Sequence, residues 1–347
     1  MPHMTTHSEI IRNLRDELGD SLVIMGHHYQ SDSVIQHVDL KGDSLELARK
    51  VESVNAEHIV FCGVYFMGES AALLAREGQK VYLPEPDANC VMSQMAPAAR
   101  VDKVLTGLAA SGRTIVPLTY VNSSVGVKAV CGKHGGSVCT SANAETMMRW
   151  AMERGDAVLF IPDKNLARNT ANTMGIAQSD WHMLDIRKEG TSVDLEAANK
   201  GKLLLWPGLC AIHARFNLRQ IQTMRDTHPG IRVVVHPECS PEVVAQSDAA
   251  GSTSFIINYV RQAPEGATIA IGTEINLVER LAKEYAGRKT IVPLLESSCS
   301  HMASVTEEKL SITLQEVRNG SADPVRIPIG FTEHARAALE RMLKACA

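Results

Sequence analysis

Short apolar runs rich in valine, isoleucine and leucine recur along the chain, and many of them end in polar residues that precede a helix-like segment. Continuous apolar runs of this kind are typical of parallel strands that are buried on both faces and joined by crossover helices. The pattern therefore predicts an α/β protein. Before the first run, Ile10, Ile11, Leu14 and Leu18 lie on one side of a predicted amphipathic helix.

Four kinds of strand end occur, and each kind occurs three times in the same order. The first kind ends in two polar residues at i and i+2, which the period of a strand places on one side. The three pairs are His27 with Tyr29, Tyr120 with Asn122, and His236 with Glu238. The second kind opens a helix with hydroxyl side chains typical of N-caps, and these are Ser44, Thr140 with Ser141, and Ser252 with Thr253.

The third kind ends in glycine or aspartate before another helix, and the fourth kind ends in a cysteine, namely Cys90, Cys210 or Cys299. The spacing supports this register: 63 residues separate His27 from Cys90 and His236 from Cys299, whereas 90 separate Tyr120 from Cys210.

The sequence thus predicts three similar αβα units with short parallel sheets, related by pseudo-three-fold symmetry, with an active site at their junction. We expect the first unit, with the N-terminal helix, at residues 1–105, the second at 106–215, and the third, with a C-terminal helix, at 216–347. Alternatively the three-fold order is incidental, because repeating strand and helix units occur in every α/β protein.

Composition and charge narrow the functional classes. The 347 residues carry a net charge of −4 with no run of five like charges, which argues against a nucleic-acid partner. No stretch is apolar and long enough to span a membrane, and the N-terminus lacks an apolar secretion signal, so we expect a cytoplasmic protein. The 8 cysteines include no CxxC pair, which favours thiols or metal ligands over disulfides.

The repeat also predicts a chemistry. Three cysteine-bearing ends that meet near one axis would deliver three thiolates, which is one ligand fewer than a structural zinc site or an ordinary iron–sulfur cluster takes. An open metal position could bind a substrate hydroxyl as a Lewis acid, so dehydration is the favoured reaction. The hydroxyl-bearing helix starts suit anions, and the polar pairs suit proton transfer.

Other patterns are weaker. Cys131, His134 and Cys139 lie close in sequence, but their spacing matches no strong zinc template. Gly126 and the Gly132–Lys133 pair do not have the spacing of a phosphate-binding P-loop, and the GxGxxG, GxSxG and HExxH patterns are absent from the sequence.

Twelve motifs together make the chain resemble the quinolinate synthase family. They are GHHYQ (26–30), GDSLELAR (42–49), YFMGESA (65–71), ANC (88–90), YVNSS (120–124), TSANA (140–144), PDKNLA (162–167), GLCAIH (208–213), HPE (236–238), GSTS (251–254), IGTE (271–274) and SSCSHM (297–302). The segment 133–136 is longer than usual for the family, and SSCSHM offers Cys299 alone where some relatives carry a CxxCxxC run.

The resemblance implies one [4Fe-4S] cluster per chain on Cys90, Cys210 and Cys299, with the fourth iron open. It implies condensation of iminoaspartate with dihydroxyacetone phosphate to quinolinate, a precursor of NAD, with loss of phosphate and water. It also implies a functional link to an L-aspartate oxidase that supplies iminoaspartate, and a monomer or homodimer.

The resemblance further implies the residues that contact substrate. They are His27, Tyr29, Ser44, Tyr120, Asn122, Ser141, His236, Glu238, Ser252 and Thr253. Among them we expect Glu238, His236, Tyr29 and His27 to serve catalysis, and the serines and threonine to hold phosphate or carboxylate groups. Two other functions stay open, a mononuclear zinc hydrolase and a small-molecule receptor without catalysis.

Overall fold

The structure is a computed structural model that describes residues 6–186 and 200–346. It contains three separate sheets in which every strand pair is parallel. The first sheet has the order β2-β1-β3-β4. Its strands are β1 (Leu22–His27), β2 (Leu40–Gly42), β3 (His58–Cys62) and β4 (Lys80–Tyr82).

The second and third sheets repeat this order. The second is β6-β5-β7-β9-β8, with β5 (Ile115–Tyr120), β6 (Ser137–Cys139), β7 (Ala157–Ile161), β8 (Trp181–Met183) and β9 (Leu203–Leu205). The third is β11-β10-β12-β13, with β10 (Arg232–Val235), β11 (Ala249–Ala250), β12 (Thr268–Gly272) and β13 (Thr290–Pro293). The extra edge strand β8 lies between β7 and β9 in the chain, which accounts for part of the longer spacing in the middle repeat.

Helices surround the three sheets, as the apolar pattern predicts. They are His7–Leu18, Asp32–Ile35, Ser44–Ser53, Tyr65–Leu74, Val91–Gln94, Ala98–Ala109, Val125–Lys133, Ala144–Met152, Lys164–Thr173, Leu218–Thr227, Pro241–Gln246, Thr253–Gln262, Ile275–Glu284, Ser300–Ala303, Glu307–Asn319 and Ile329–Ala345. The prediction of an α/β protein with three similar αβα units is confirmed. No helix in the described part of the chain is long and apolar enough to cross a membrane.

The predicted N-terminal helix is also confirmed. Thr6 caps it in a capping box, in which the Glu9 amide donates to Thr6 Oγ1 at 3.2 Å and the Thr6 amide donates to the Glu9 carboxylate at 2.7 Å. Ile11 and Leu14 are buried, and the helix packs against Glu307–Asn319. The apolar face read from the sequence is therefore the face that meets the core.

The C-terminal helix Ile329–Ala345 packs against Val125–Lys133 of the second unit. Gly132 makes this packing feasible, because a Cβ atom there would lie 1.9 Å from the carbonyl oxygen of His334. The last helix thus follows the third sheet in sequence but packs against the second unit. The boundaries 1–105, 106–215 and 216–347 stay a prediction, and residues 1–5, 187–199 and 347 lie outside the described part.

Candidate active site

The three strand-end pairs line one cavity. β1 ends at His27 and β5 ends at Tyr120, while His236 directly follows β10. These residues face the cavity together with Tyr29, Asn122 and Glu238, the second members of their pairs. Because the carboxyl ends of parallel strands meet at one edge of a sheet, each unit contributes its pair from the same place in the fold.

The three cysteines that follow the fourth strands line the same cavity. In each unit, the first amide of the helix after the third strand donates to the carbonyl two residues before the cysteine. These bonds join Tyr65 to Ala88 at 2.9 Å, Lys164 to Gly208 at 3.0 Å, and Ile275 to Ser297 at 2.9 Å. The register of the repeat that the sequence predicts is therefore present in the hydrogen bonds that fix Cys90, Cys210 and Cys299.

Burial raises the pKa of all three thiols. The pKa of Cys90 rises to about 12, that of Cys210 rises well above its ordinary value, and that of Cys299 also rises. Nearby charges add to the effect, with Cys299 acting on Cys90 and Glu238 acting on Cys210. Without a bound cation, these thiols stay protonated at neutral pH.

Glu238 lies between two imidazoles. Its Oε2 is 2.9 Å from His213 Nδ1 and 3.0 Å from His236 Nδ1, and the two rings stack with centroids 4.5 Å apart. Burial would raise the pKa of the Glu238 carboxyl, but the two imidazoles hold that pKa below its ordinary value. Burial lowers the pKa of His213. The arrangement is thus an ionised carboxylate held by two imidazoles, and the Glu238 amide also donates to His236 Nδ1 at 3.4 Å.

A chain of hydrogen bonds links Glu238 to Tyr29. The Tyr29 hydroxyl lies 2.7 Å from Thr273 Oγ1, and Thr273 Oγ1 lies 3.1 Å from His213 Nε2. Thr253 donates to the Tyr29 hydroxyl at 3.3 Å. Because burial raises the pKa of Tyr29, its hydroxyl keeps its proton and can donate it to Thr273.

His27 also lies in this cavity with its ring edge against Tyr29, at a centroid distance of 4.6 Å. Burial and the neighbouring His28 lower the pKa of His27 to about 3. Its imidazole is therefore neutral at physiological pH, so it can accept a proton or donate a hydrogen bond but brings no charge to the cavity.

The predicted N-caps are confirmed only for Ser252, whose Oγ accepts from the Phe255 amide at 3.3 Å. The helix after β2 is capped instead by Asp43, whose carboxylate accepts from two backbone amides, and Ser44 is its first residue. The helix after β6 starts only at Ala144. The N-cap prediction was wrong at these two helices because an aspartate and a further turn of chain take the capping position.

This correction changes which hydroxyls are available. Ser44, Thr140, Ser141 and Thr253 do not cap a helix, and they line the cavity. The cavity thus gathers every site residue named from the sequence except Ser252, which is buried and engaged in its cap.

Sequence reasoning missed His213 and Thr273, which complete the chain between Tyr29 and Glu238. His213 lies three residues after Cys210 in GLCAIH, and this nearness to a ligand candidate was the available signal. Thr273 follows β12, a strand end that the sequence reading treated as a glycine before a helix.

Cys131, His134 and Cys139 do not form a metal site. His134 instead lies 2.9 Å from the Asp102 carboxylate, and both thiols are fully buried. Within residues 6–186 and 200–346, one group of His, Cys, Asp or Glu side chains has the compactness of a metal site: Cys210, His213 and Glu238, whose ligand atoms lie within 4.8 Å of one another.

The family model described as "NadA: Quinolinate synthetase A protein" matches residues 9–344, nearly the whole chain. The chain belongs to the quinolinate synthetase A family.

Proteins named quinolinate synthase are similar to this chain over most of their length. A protein named quinolinate synthase from Acidobacterium capsulatum is 42% identical over 344 residues, covering 97% of this chain and 92% of its own. Proteins of the same name from Streptomyces coelicolor and Corynebacterium glutamicum are 41% and 43% identical, each covering 96% of this chain and 86% of its own. The predicted family is thereby confirmed.

Among solved structures, the E-1-hydroxy-2-methyl-but-2-enyl-4-diphosphate reductase from Plasmodium falciparum matches with a TM-score of 0.28 and 11% identity. The match covers 93% of this chain and 85% of that one. A score and an identity this low support no conclusion about the fold or function of this chain.

Proposed function

We propose that this chain catalyses the quinolinate synthase reaction, in which iminoaspartate and dihydroxyacetone phosphate condense to quinolinate with release of phosphate and water, a step of de novo NAD biosynthesis. Whole-chain membership of the family supports the reaction. One observation carries the proposal: three thiols, one from the end of each sheet, line the cavity that holds Glu238 and its two imidazoles.

Within this proposal, Cys90, Cys210 and Cys299 hold one [4Fe-4S] cluster and leave one iron without a protein ligand. Thiolates are the usual ligands of such clusters, so the donor set fits. Glu238 Oε1 and Asn122 Oδ1 are buried without a hydrogen-bond partner in the described residues, and so remain available to a bound group. When bound, the cluster supplies a Lewis acid for loss of hydroxide.

The chain's own residues account for binding and proton transfer in the proposal. Glu238 is the base, because its carboxylate is ionised and buried. The hydrogen bonds through His213 and Thr273 connect it to Tyr29, which serves as the donor at the other end. His236 and His27 complete the group of proton-transfer residues, with His236 Nε2 lying 3.2 Å from Ser141 Oγ.

The hydroxyl groups around the cavity serve the two anionic substrates in this proposal. Ser44, Ser141 and Thr253 face the cavity beside helix starts, which favours phosphate or carboxylate. Tyr120 and Asn122 contribute polar groups from the second unit. Ser252 acts through its cap, which fixes Thr253. A cytoplasmic location and supply of iminoaspartate by an L-aspartate oxidase belong to the same proposal.

A second candidate is a mononuclear zinc hydrolase, favoured by the close grouping of Cys210, His213 and Glu238. In that function zinc would replace the proton that His213 Nδ1 shares with Glu238, and Cys90 and Cys299 would have no role. Metal analysis separates the two functions, since one expects iron and sulfide and the other expects one zinc per chain.

The reaction itself is tested by assay. Protein reconstituted anaerobically with iron and sulfide should form quinolinate and inorganic phosphate in equal amounts when iminoaspartate and dihydroxyacetone phosphate are supplied together. Protein without iron is the control and should form neither. Absence of quinolinate from fully loaded protein would exclude the proposed reaction.

A further inference from the structure

The backbone around Tyr29, Asn122 and Glu238 is held in the same way in all three units. For each of these residues, the carbonyls immediately before and after it accept hydrogen bonds from a single side chain. Lys128 Nζ donates to Val121 at 2.9 Å and Ser123 at 2.5 Å, Asn169 Nδ2 to Pro237 at 2.7 Å and Cys239 at 2.9 Å, and Arg280 to His28 at 2.8 Å and Gln30 at 2.5 Å.

On two of the three helices, an asparagine four residues before the donor bonds the same loop. Asn165 donates to the carbonyl of Glu238 itself at 3.2 Å, and Asn276 donates to the carbonyl of Tyr29 at 3.1 Å. Asn165 and Asn169 are the second and sixth residues of Lys164–Thr173, and Asn276 and Arg280 are the second and sixth residues of Ile275–Glu284. Two pseudo-equivalent helices thus hold two loops with one geometry.

Each of these helices holds the loop of a different unit. The helix after β7, in the second unit, holds the loop of Glu238 in the third. The helix after β12, in the third unit, holds the loop of Tyr29 in the first. The cavity is therefore shaped by contacts that pass from one unit to the next.

The loop of Asn122 is held in a different way from the other two loops. Its donor Lys128 comes from its own unit, on the helix Val125–Lys133. The helix after β3, in the first unit, contributes Glu69, whose carboxylate accepts from the Val125 amide at 3.0 Å and faces the Lys128 charge. The first unit therefore also fixes the loop of the next unit, although through a carboxylate.

Carbonyl groups that lose their donor inside a protein are costly, so these loops depend on their donors. Lys128 is 0% exposed and Asn169 6% exposed. We propose that Lys128, Asn169 and Arg280 are positioning residues that fix Asn122, Glu238 and Tyr29 in the cavity. The inference rests on the proposed function for its effect on turnover, and on geometry alone for its effect on the loops.

Arg280 offers the cleanest test, because its side chain is 18% exposed and its replacement disturbs the core least. Arg280→Met removes both donors to the loop, while Arg280→Lys keeps a cation that can reach a carbonyl. Lys283→Met is the matched control: Lys283 pairs with Asp32, as Arg280 does, at 2.8 Å, and it lies on the same helix.

We expect Arg280→Met to lower kcat by about tenfold to a hundredfold, as misplacement by about 1 Å does, with KM and iron content little changed. Arg280→Lys should recover most of this loss, and Lys283→Met should match the wild type. Equal kcat in Arg280→Met and Lys283→Met would overturn the proposal. If Arg280→Met does not fold, Asn169→Ala tests the loop of Glu238 by the same criteria.

Amide hydrogen exchange makes the test independent of the reaction. Arg280→Met should accelerate exchange at residues 28–30, and Lys283→Met should not. Unchanged exchange in Arg280→Met would overturn the positioning role even if turnover fell. A wild-type protein that formed no quinolinate would instead contradict the proposed function and leave the exchange comparison valid.

Discussion

Replacing Glu238 by glutamine removes the proposed base with little change of shape. Both imidazoles bond the same oxygen, Oε2, at 2.9 and 3.0 Å. The glutamine carbonyl can take the place of Oε2, and its amino group can take the place of Oε1, which has no partner in the described residues. The geometry around His213 and His236 should therefore survive.

The energetic effects of this change can be separated. The two hydrogen bonds lose their charge assistance, which costs about 1 kcal/mol each and leaves a folded protein. The loss of a proton acceptor is larger, because general-base catalysis contributes about 10²- to 10⁴-fold, or about 3 to 5 kcal/mol of barrier. Turnover should therefore fall by at least about a hundredfold.

The assay is the initial rate of quinolinate formation by anaerobically reconstituted protein, with iron counted in the same samples. The matched control is Glu242→Gln, four residues away in the chain, where the side chain is 61% exposed and pairs with Arg168 only at 3.9 Å. This control should keep both rate and iron. If Glu238→Gln kept the wild-type rate with full iron content, Glu238 would have no part in proton transfer.

Cys210→Ser should reduce bound iron to below about a tenth of the wild-type value, whereas Cys131→Ser, a buried thiol away from the cavity, should keep it, as metal analysis can check. Thr273→Val breaks the hydrogen bonds to Tyr29 and His213 without changing volume, so kcat should fall about tenfold, corresponding to about 1.4 kcal/mol; an unchanged kcat would rule out the relay. Burial lowers the pKa of Lys128 from 10.5 to about 8, so the unfolded lysine binds more protons between these values and the Lys128 contribution to stability should rise with pH there, by up to about 1.4 kcal/mol per pH unit. Denaturant unfolding of wild type and Lys128→Met across that range should give slopes that differ by this amount, because the buried thiols, whose pKa values shift upwards, contribute equally to both proteins; equal slopes would contradict it.

The parallel strands and the positions of the cysteines after them could be predicted from the sequence, because each depends on short-range pattern. β5 and β7 are buried throughout, and a strand buried on both faces is a continuous apolar run in the sequence. Cys90, Cys210 and Cys299 follow such runs, so their place at strand ends follows as well. The edge strand β8, Trp181–Met183, escaped prediction because none of its residues is fully buried and a histidine interrupts its apolar residues.

The rest of the site depends on contacts between distant residues, which one sequence does not reveal. Nothing near Asn169 or Arg280 in sequence indicates that each bridges two carbonyls in another unit. Ser44 was misread for a local reason, since Asp43 beside it is an equally good cap and its carboxylate accepts two amides. The sequence thus predicted which kinds of polar side chain lie at the strand ends, but not which atoms they bond.

We propose above that three thiols, one from each unit, hold one metal centre with an open position. The most direct measurement is iron and inorganic sulfide per chain after anaerobic reconstitution, with a Mössbauer spectrum before and after quinolinate is added. A [4Fe-4S] cluster held by three thiolates should give about four irons and four sulfides per chain, with one iron whose signal changes when quinolinate is present. One zinc per chain, or four irons that respond alike, would contradict it.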